Sequence, residues 1–431
     1  MDSSPHADTD THRHRGWRAS VSVLLFLLAP TAMAQAPCSD TIVRRSLEQL
    51  GITFTDSNTV ELITTGQEKF DRMFADIRDA RKRVNLEYFN FRNDSIGKAL
   101  FTLLAQRVAD SVEVRAMFDS FGNASNDSPL RRKHLRTIRG WGIDVREFDP
   151  LRFPWINHAY HRDHRKIVTI DDRICYTGGM NVADYYIHGR PAYGQWRDMH
   201  MRLTGPVVAD YDSVFRRMWN ESFNEHLQAM PTDTTRTDTI AVTYGVQPTA
   251  TIGVVDRRPG RHSKLMRKAY VAAIDAAQSH IQIVNPYPTN VRSVRRALRR
   301  ALKRGVRVEL MVSSKSDVPV TPDVVALEMK KLARRGALVY YNNDGFYHSK
   351  TMAIDGRFCT IGSTNLDARS FLFDYEVNSF ILDTATTTRL EFIFDNDKHT
   401  CTEFHADDYR RRFNFGHRLQ GWFFSLFRGF F

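Results

Sequence analysis

The sequence predicts an α/β protein made of two copies of one unit, and three observations predict it. A polar pattern recurs: His164, Lys166 and Asp171 in "HRDHRKIVTIDDRICYTGGMNVADYY" return 184 positions later as His348, Lys350 and Asp355 in "HSKTMAIDGRFCTIGSTNLDARSF". The stretches ahead of the patterns, 70–119 and 265–314, both read helix, strand, loop, helix, strand. Within both, apolar residues alternate between helical and strand periods, as layered α/β units require.

The elements follow in chain order. Arg13, Arg15 and Arg18 precede "ASVSVLLFLLAPTAMA", 16 residues that end small-x-small at Ala32-Met33-Ala34. A basic start, an apolar core and such an end mark an export signal. The run contains Pro30 and is shorter than the roughly 20 residues that span a bilayer. Residues 1–34 are therefore a signal peptide or short anchor, and 35–57 a leader. No other segment approaches spanning length. The first unit covers 58–229, a Thr-, Asp- and Pro-rich connector covers 230–249, and the second unit covers 250–415. In both units a helix leads to a β-rich run, "VNLEYF" or "IQIVNP". A basic helix follows, then "VEVRAMF" or "VRVELMV". "RKIVTID" with "RICYTGG", and "SKTMAID" with "RFCTIGS", read as buried strands joined by tight turns at Asp172 and Gly356. The tail, 416–431, sets Leu419, Trp422, Phe423, Leu426, Phe427 and Phe430 on one helical stripe. Arg410, Arg411, Arg412, His417, Arg418 and Arg428 lie nearby. A basic helix with an aromatic face suits a membrane interface, and also a terminal helix docked on the protein body.

Composition narrows the partners. A hydrophobic fraction of 42% with 26% charged residues excludes a disordered chain. A net charge of +12 favours anionic ligands: nucleic acid, acidic lipid or phosphorylated small molecules. Cys175 and Cys359 lie inside apolar strands and read as buried packing residues. Cys38 and Cys401 are left as either a disulfide pair in an oxidising compartment or free thiols.

On a strand, residues two apart share a face, so each histidine stands beside its lysine. Asn181 and Asn365 both follow their histidine by 17 positions. If the motifs face each other, two imidazoles, two ammonium groups and two amides meet at one point. That set suits a phosphate ester: lysines and asparagines hold the oxygens, one imidazole attacks phosphorus, and the other handles the proton. The lysines supply the positive charge, so no metal or cofactor is called for. Asp198 and Glu376 each open a strand-like run and are the candidates to orient the imidazoles from behind. Asp171 and Asp355 end their strands before a turn, which suggests a structural, hydrogen-bonding task. His158, His161 and His164 are spaced by three but lack accompanying cysteines or acids at ligand spacing, and His158 and His161 read as loop residues at the site's mouth rather than metal ligands.

These residues resemble the phospholipase D superfamily, whose signature is this duplicated motif, and within it the bacterial cardiolipin synthases. The likeness covers most of 58–380 and includes "VNLEYFNFRNDSIGKAL", "QWRDMHMRLTGPVV" and "ALKRGVRVELMV". It implies two tandem phospholipase D-like α-β-α sandwich domains related by a pseudo-two-fold axis, with the active site at their interface. It implies that His164, Lys166, Asp171, His348, Lys350 and Asp355 form the catalytic motif, with His164 favoured as nucleophile. It further implies transfer of a phosphatidyl group between two phosphatidylglycerol molecules through a phosphohistidine, with glycerol released and cardiolipin formed.

The expected partners are anionic phospholipids, phosphatidylglycerol and cardiolipin, met peripherally through the C-terminal tail. No specific nucleic acid is expected. One chain should act as a monomer with an internal pseudo-dimer, exported to the periplasmic face of the inner membrane. The sequence departs from the family in its single short apolar segment, where two membrane-spanning helices are usual, and in a short "VNPYPTNVRSV" loop. A phospholipase D hydrolase would use the same residues with water as acceptor. A nuclease of the superfamily fits the charge but lacks a basic-aromatic stacking platform. A non-enzymatic lipid-binding protein would not need two complete motifs.

Overall fold

The computed structural model describes residues 38–150, 160–229, 247–260, 263–289 and 291–427. The signal-like segment, His158, almost all of the connector, Arg428 and Phe430 lie outside the described residues. The first half contributes β1 (Phe54–Ile63), β2 (Arg83–Tyr88), β3 (Glu113–Asp119), β4 (Asp144–Phe148), β5 (Lys166–Ile170), β6 (Ile174–Gly178), β7 (Gln195–Arg197) and β8 (His200–Thr204). The second contributes β9 (Ala250–Arg257), β10 (His280–Val284), β11 (Arg307–Ser313), β12 (Leu338–Asn342), β13 (Gly345–Tyr347), β14 (Thr351–Ile354), β15 (Phe358–Gly362), β16 (Glu376–Leu382) and β17 (Cys401–Glu403).

The strand order reveals the duplication. From one edge to the middle it runs β4-β3-β2-β5-β6-β8-β1, and from the other it runs β12-β11-β10-β14-β15-β16-β9, with β17 added outside β12. Each series has two parallel pairings followed by four antiparallel ones. β1 and β9 then pair antiparallel, Phe54 opposite Gly253, and fuse the halves into one 15-stranded sheet. β7 and β13 pair with each other outside that sheet and tie the halves together a second time. Residues from Cys38 onward form a single compact unit.

Helices pack on the sheet because their apolar stripes match it. In the arginine-rich helix Arg292–Lys303, Val294, Ala297, Leu298 and Ala301 are buried. Positions i, i+3, i+4 and i+7 make one helical stripe, and each fully buried leucine or valine there contributes about 1.5–3 kcal/mol. Helix Gly66–Arg78 starts where the Thr65 hydroxyl accepts from Glu68 N at 3.2 Å; such caps satisfy otherwise orphaned backbone donors. A central core between the halves gathers Ile167, Cys175, Met201, Cys359, Ile361 and Val377 with Val207 and Tyr211 of helix Val207–Phe223. All four cysteines are free thiols.

The motif strands end in tight turns. Asp171, Asp172, Asp355 and Gly356 all have positive φ, between 52° and 63°. Aspartate and glycine adopt that left-handed backbone at low cost.

Candidate active site

Each motif enters its strand clamped to the opposite half. His164 N donates to Tyr375 O at 3.1 Å, and His348 N donates to Arg197 O at 2.7 Å. The residues after those carbonyls, Glu376 and Asp198, thereby come to lie behind the imidazoles. His164 Nδ1 is 3.0 Å from Glu376 Oε1, and His348 Nδ1 is 2.7 Å from Asp198 Oδ2. Both pairs therefore cross between the halves. A carboxylate at Nδ1 fixes the tautomer and leaves Nε2 as the ring nitrogen available to the cleft.

Register makes the two carboxylates equivalent. Gly178 pairs with His200 and Gly362 with Asn378, so Asp198 and Glu376 each lie two residues before the partner of the strand-ending glycine. The residue after that glycine differs for a steric reason. A Cβ on Gly179 would overlap Asp198 Oδ1, whereas Ser363 uses its hydroxyl to donate to Glu376 Oε2.

The lysines lie on the same strand faces as their histidines. Lys166 Nζ donates to His164 O at 2.5 Å, and Lys350 Nζ donates to His348 O and stands 2.7 Å from His348 Nδ1. With the Nδ1 proton directed at Asp198, Nδ1 offers Lys350 no lone pair, so the ammonium's hydrogen bond is the one to His348 O, and its charge disfavours the imidazolium. Burial pushes Lys166 down to about 7 and Lys350 down to about 8, with Glu376 and Asp198 respectively opposing the shift. Burial, then Lys166, brings His164 down to about 4; burial, then Lys350, also lowers His348. Glu376 is held below the usual range: burial alone would raise it, but His164, Lys166 and Ser363 outweigh that. At neutral pH these shifts favour neutral imidazoles, and an anion entering the cleft would favour their charged forms.

Asn181 and Asn365 line the same cleft of about 510 Å³, and both are buried. Their Oδ1 atoms have no hydrogen-bond partner among the described residues. An amide oxygen only accepts, so phosphoryl oxygens would be met by the Nδ2–H donors of these side chains, while Oδ1 suits a ligand hydroxyl. Lys69, which sequence reasoning missed, holds the Asn181 backbone: its buried Nζ donates to Met180 O at 3.2 Å and Asn181 O at 3.0 Å. Aromatic rings box the imidazoles. Phe89 packs on His164 at 5.2 Å, and Phe346, Trp196 and Tyr287 pack on His348 at 5.5, 5.6 and 6.2 Å between centroids. Trp196 lies two residues before Asp198, and that proximity in sequence was the available signal.

Two motif members are not brought to the site, which corrects their place among catalytic residues. Asp171 lies five residues beyond Lys166, about 17 Å along an extended strand. Its carboxylate accepts from the backbone N–H groups of Arg81, Lys82 and Arg83 at 2.8, 2.7 and 3.0 Å. Asp355 accepts from those of Gln278, Ser279 and His280 at 2.8, 2.8 and 2.9 Å. Both staple the turn to the start of the neighbouring strand, β2 or β10. His161, at the chain's entry to the site, places Nδ1 3.0 Å from Phe373 O.

A family model described as cardiolipin synthase, phospholipase D-like domain, matches residues 73–219 and 270–398. The chain belongs to this family. It is 32% identical over 364 residues to a cardiolipin synthase of Oceanobacillus iheyensis, covering 83% of this chain and 72% of the relative. It is also 32% identical to the major cardiolipin synthase ClsA of Bacillus subtilis, over 83% of this chain and 73% of that one. Among solved structures, the phosphatidylserine synthase of Haemophilus influenzae superposes with a TM-score of 0.71 at 14% identity, over 90% of this chain and all of that one. At that identity the likeness speaks for the fold alone. Two phospholipase D-like halves joined through one sheet are the architecture of this family member.

Proposed function

We propose that the protein is a phosphatidyltransferase of the cardiolipin synthase type, taking a phosphatidyl group from one phosphatidylglycerol and giving it to another. The observation that carries this reading is the pair of imidazoles facing one cleft, each backed by a carboxylate of the opposite half. In the first step His164 Nε2 attacks phosphorus, the bond from phosphorus to the glycerol oxygen breaks, and protonated His348 gives that oxygen its proton. Glycerol leaves, and the phosphatidyl group stays on His164. In the second step neutral His348 takes the proton of the acceptor hydroxyl, whose oxygen attacks phosphorus as the phosphorus–nitrogen bond breaks. Cardiolipin leaves, and both imidazoles return to their starting states. Lys166, Lys350, Asn181 and Asn365 hold the phosphoryl oxygens as their charge grows.

Product analysis with phosphatidylglycerol vesicles tests the reading, using the mature protein with His164→Ala and His348→Ala as controls. Cardiolipin and glycerol, lost in both variants, are the expected result. Phosphatidic acid would mean that water takes the acceptor's place. No lipid product, with turnover of nucleic acid instead, would refute it.

The reading also requires a lipid surface, and the C-terminal helix Phe415–Leu426 supports peripheral contact with an anionic one. Asn414 caps it, while Gly421 packed on Asp323 and His417 Nδ1 at 3.0 Å from Asp323 Oδ1 dock it on helix Thr321–Ala333. Docking and an exposed stripe therefore coexist: Leu419, Trp422, Phe423, Leu426 and Phe427 all face solvent. Lys330, Arg334, Arg410 and Arg418 gather beside them, close enough for Lys330 to be lowered by burial and by its neighbours' charge. No helix among the described residues is long and apolar enough to cross a membrane. We propose that the protein works as a monomer at the periplasmic face of the inner membrane. An intact N-terminus recovered from cells, rather than one beginning at Gln35, would argue for an anchored form instead.

A further inference from the structure

The catalytic groups are duplicated, but the cleft around them is not. Asp198 follows Asn181 by 17 positions, whereas Glu376 follows Asn365 by only 11. The excess in the first half includes a loop closed by Gly189 and Gly194, both at positive φ, where Arg190 N donates to Gly194 O at 2.9 Å. Arg190 lines the catalytic cleft from this loop. So does Arg92, four residues beyond the end of β2. Strand register matches Arg92 with Thr289 of the second half, a neutral residue that also lines the cleft. Neither arginine therefore has a cationic counterpart at the matching position.

The two guanidinium groups converge on one carboxylate. Arg92 Nη2 pairs with Asp127 Oδ1, and Arg190 Nη2 is 3.3 Å from Asp127 Oδ2. Both guanidinium groups stack on Tyr185, at 5.3 and 4.7 Å from its centroid. Asp94 Oδ2 lies 3.5 Å from Arg92 Nε. Asp127 itself is a surface group, with its side chain 64% exposed. A solvated loop carboxylate between two guanidinium groups occupies the position that a singly charged phosphodiester would fill, since both anions accept from the same planar donor forks.

The position fits an acceptor lipid. Arg190 stands 5.7 Å from the Trp196 centroid, and Trp196 stands 5.6 Å from the His348 centroid, which in series keeps the guanidinium within about 11 Å of the imidazole. A glycerol headgroup reaches roughly 6 Å from phosphorus to its terminal hydroxyl, and a guanidinium–phosphate contact adds about 4 Å. We propose that Arg92 and Arg190 form a second anion subsite that binds the phosphodiester of the acceptor phospholipid and delivers its hydroxyl to His348. Asp127 fills this subsite when no lipid is bound and leaves it when the acceptor arrives. The proposal rests on the transferase reading, and adds why a lipid alcohol competes successfully with water: its own phosphate is held while its hydroxyl is presented.

The test uses the full-chain protein, Arg190→Gln and Asp127→Asn. Calorimetric titration with soluble glycerophosphoglycerol should give two equivalents bound by the wild type and one by Arg190→Gln. Asp127→Asn should tighten the second equivalent. In phosphatidylglycerol vesicles the ratio of cardiolipin to phosphatidic acid should fall about tenfold or more in Arg190→Gln, the size expected for one charged hydrogen bond. One equivalent in the wild type, or an unchanged product ratio in Arg190→Gln, would overturn the subsite. Two Arg190-dependent equivalents in a wild type that makes no lipid product would keep the subsite and refute the transferase reading. Millimolar inorganic phosphate that displaces the second equivalent completely would reassign it to free phosphate and overturn the lipid assignment.

Discussion

His164 shows how a buried side chain couples chemistry to stability. Burial and then Lys166 bring its imidazole down to about 4, while the unfolded chain holds it near 6.5. Between those values the unfolded state binds the extra proton, so stability rises with pH. The contribution is fully present above about pH 6.5 and is lost as pH falls towards 4, by at most about 3 kcal/mol. Denaturant unfolding of the wild type and His164→Gln between pH 4 and 7 checks the sign: the variant should lose less stability on acidification. Parallel curves would place the His164 titration elsewhere. The carboxylates behind the rings act differently. Glu376→Gln and Asp198→Asn keep the shape of the site but remove the charge that stabilises an imidazolium, so kcat should fall by on the order of 10²- to 10⁴-fold in a folded protein. Steady-state kinetics beside circular dichroism measures this, and a loss below tenfold would count against the crossed pairs.

The hairpins formed by β5 with β6, and by β14 with β15, separate chemistry from scaffolding. Lys166 and Lys350 stand at the site end of their strands, whereas Asp171 and Asp355 hold the far turns to three backbone N–H groups each. Asp355→Ala leaves those donors without their acceptor, so it should lower stability by about 1–3 kcal/mol and shift the melting temperature accordingly. Turnover per folded molecule should change only a few-fold, and a large loss of kcat at unchanged stability would return Asp355 to the chemistry. This division was partly legible in the sequence, because strand period alone places His164 with Lys166 and separates both from a residue at the strand's end. The alternation of helices and β-rich runs likewise marked both units. The carboxylate assignment was legible only to the level of candidates. Which acid serves which histidine depends on the half-to-half clamp of His164 on Tyr375 and His348 on Arg197, and no local spacing encodes that. Arg190 was hidden for the opposite reason: it lies in the loop that breaks the repeat, where comparison of the two motifs has nothing to match.

At the scale of the whole molecule, the C-terminal helix sits close to the catalytic cleft. Helix Thr321–Ala333 begins at the cleft, where Thr321 is part of the wall, and carries the C-terminal helix on Asp323 two residues later. The helix that carries the aromatic stripe is therefore anchored two residues from the cleft wall. Trp422 is 55% exposed and Leu426 62%, a costly arrangement in water but a favourable one at a headgroup boundary. The cationic cluster of Lys330, Arg334, Arg410 and Arg418 adds attraction for anionic headgroups, on the order of 1 kcal/mol per charge near the surface. Replacing Trp422 and Phe423 with serine should therefore weaken binding to phosphatidylglycerol vesicles at least tenfold in a sedimentation assay. Binding by the wild type should fall steeply with added salt, because screening acts on the cationic cluster but leaves the aromatic contribution in place. Turnover of short-chain, monomeric phosphatidylglycerol should survive in the double variant, since neither ring touches the imidazoles or their carboxylates. Equal loss on vesicles and on monomers would mean that the helix supports the fold of the cleft rather than its approach to the membrane.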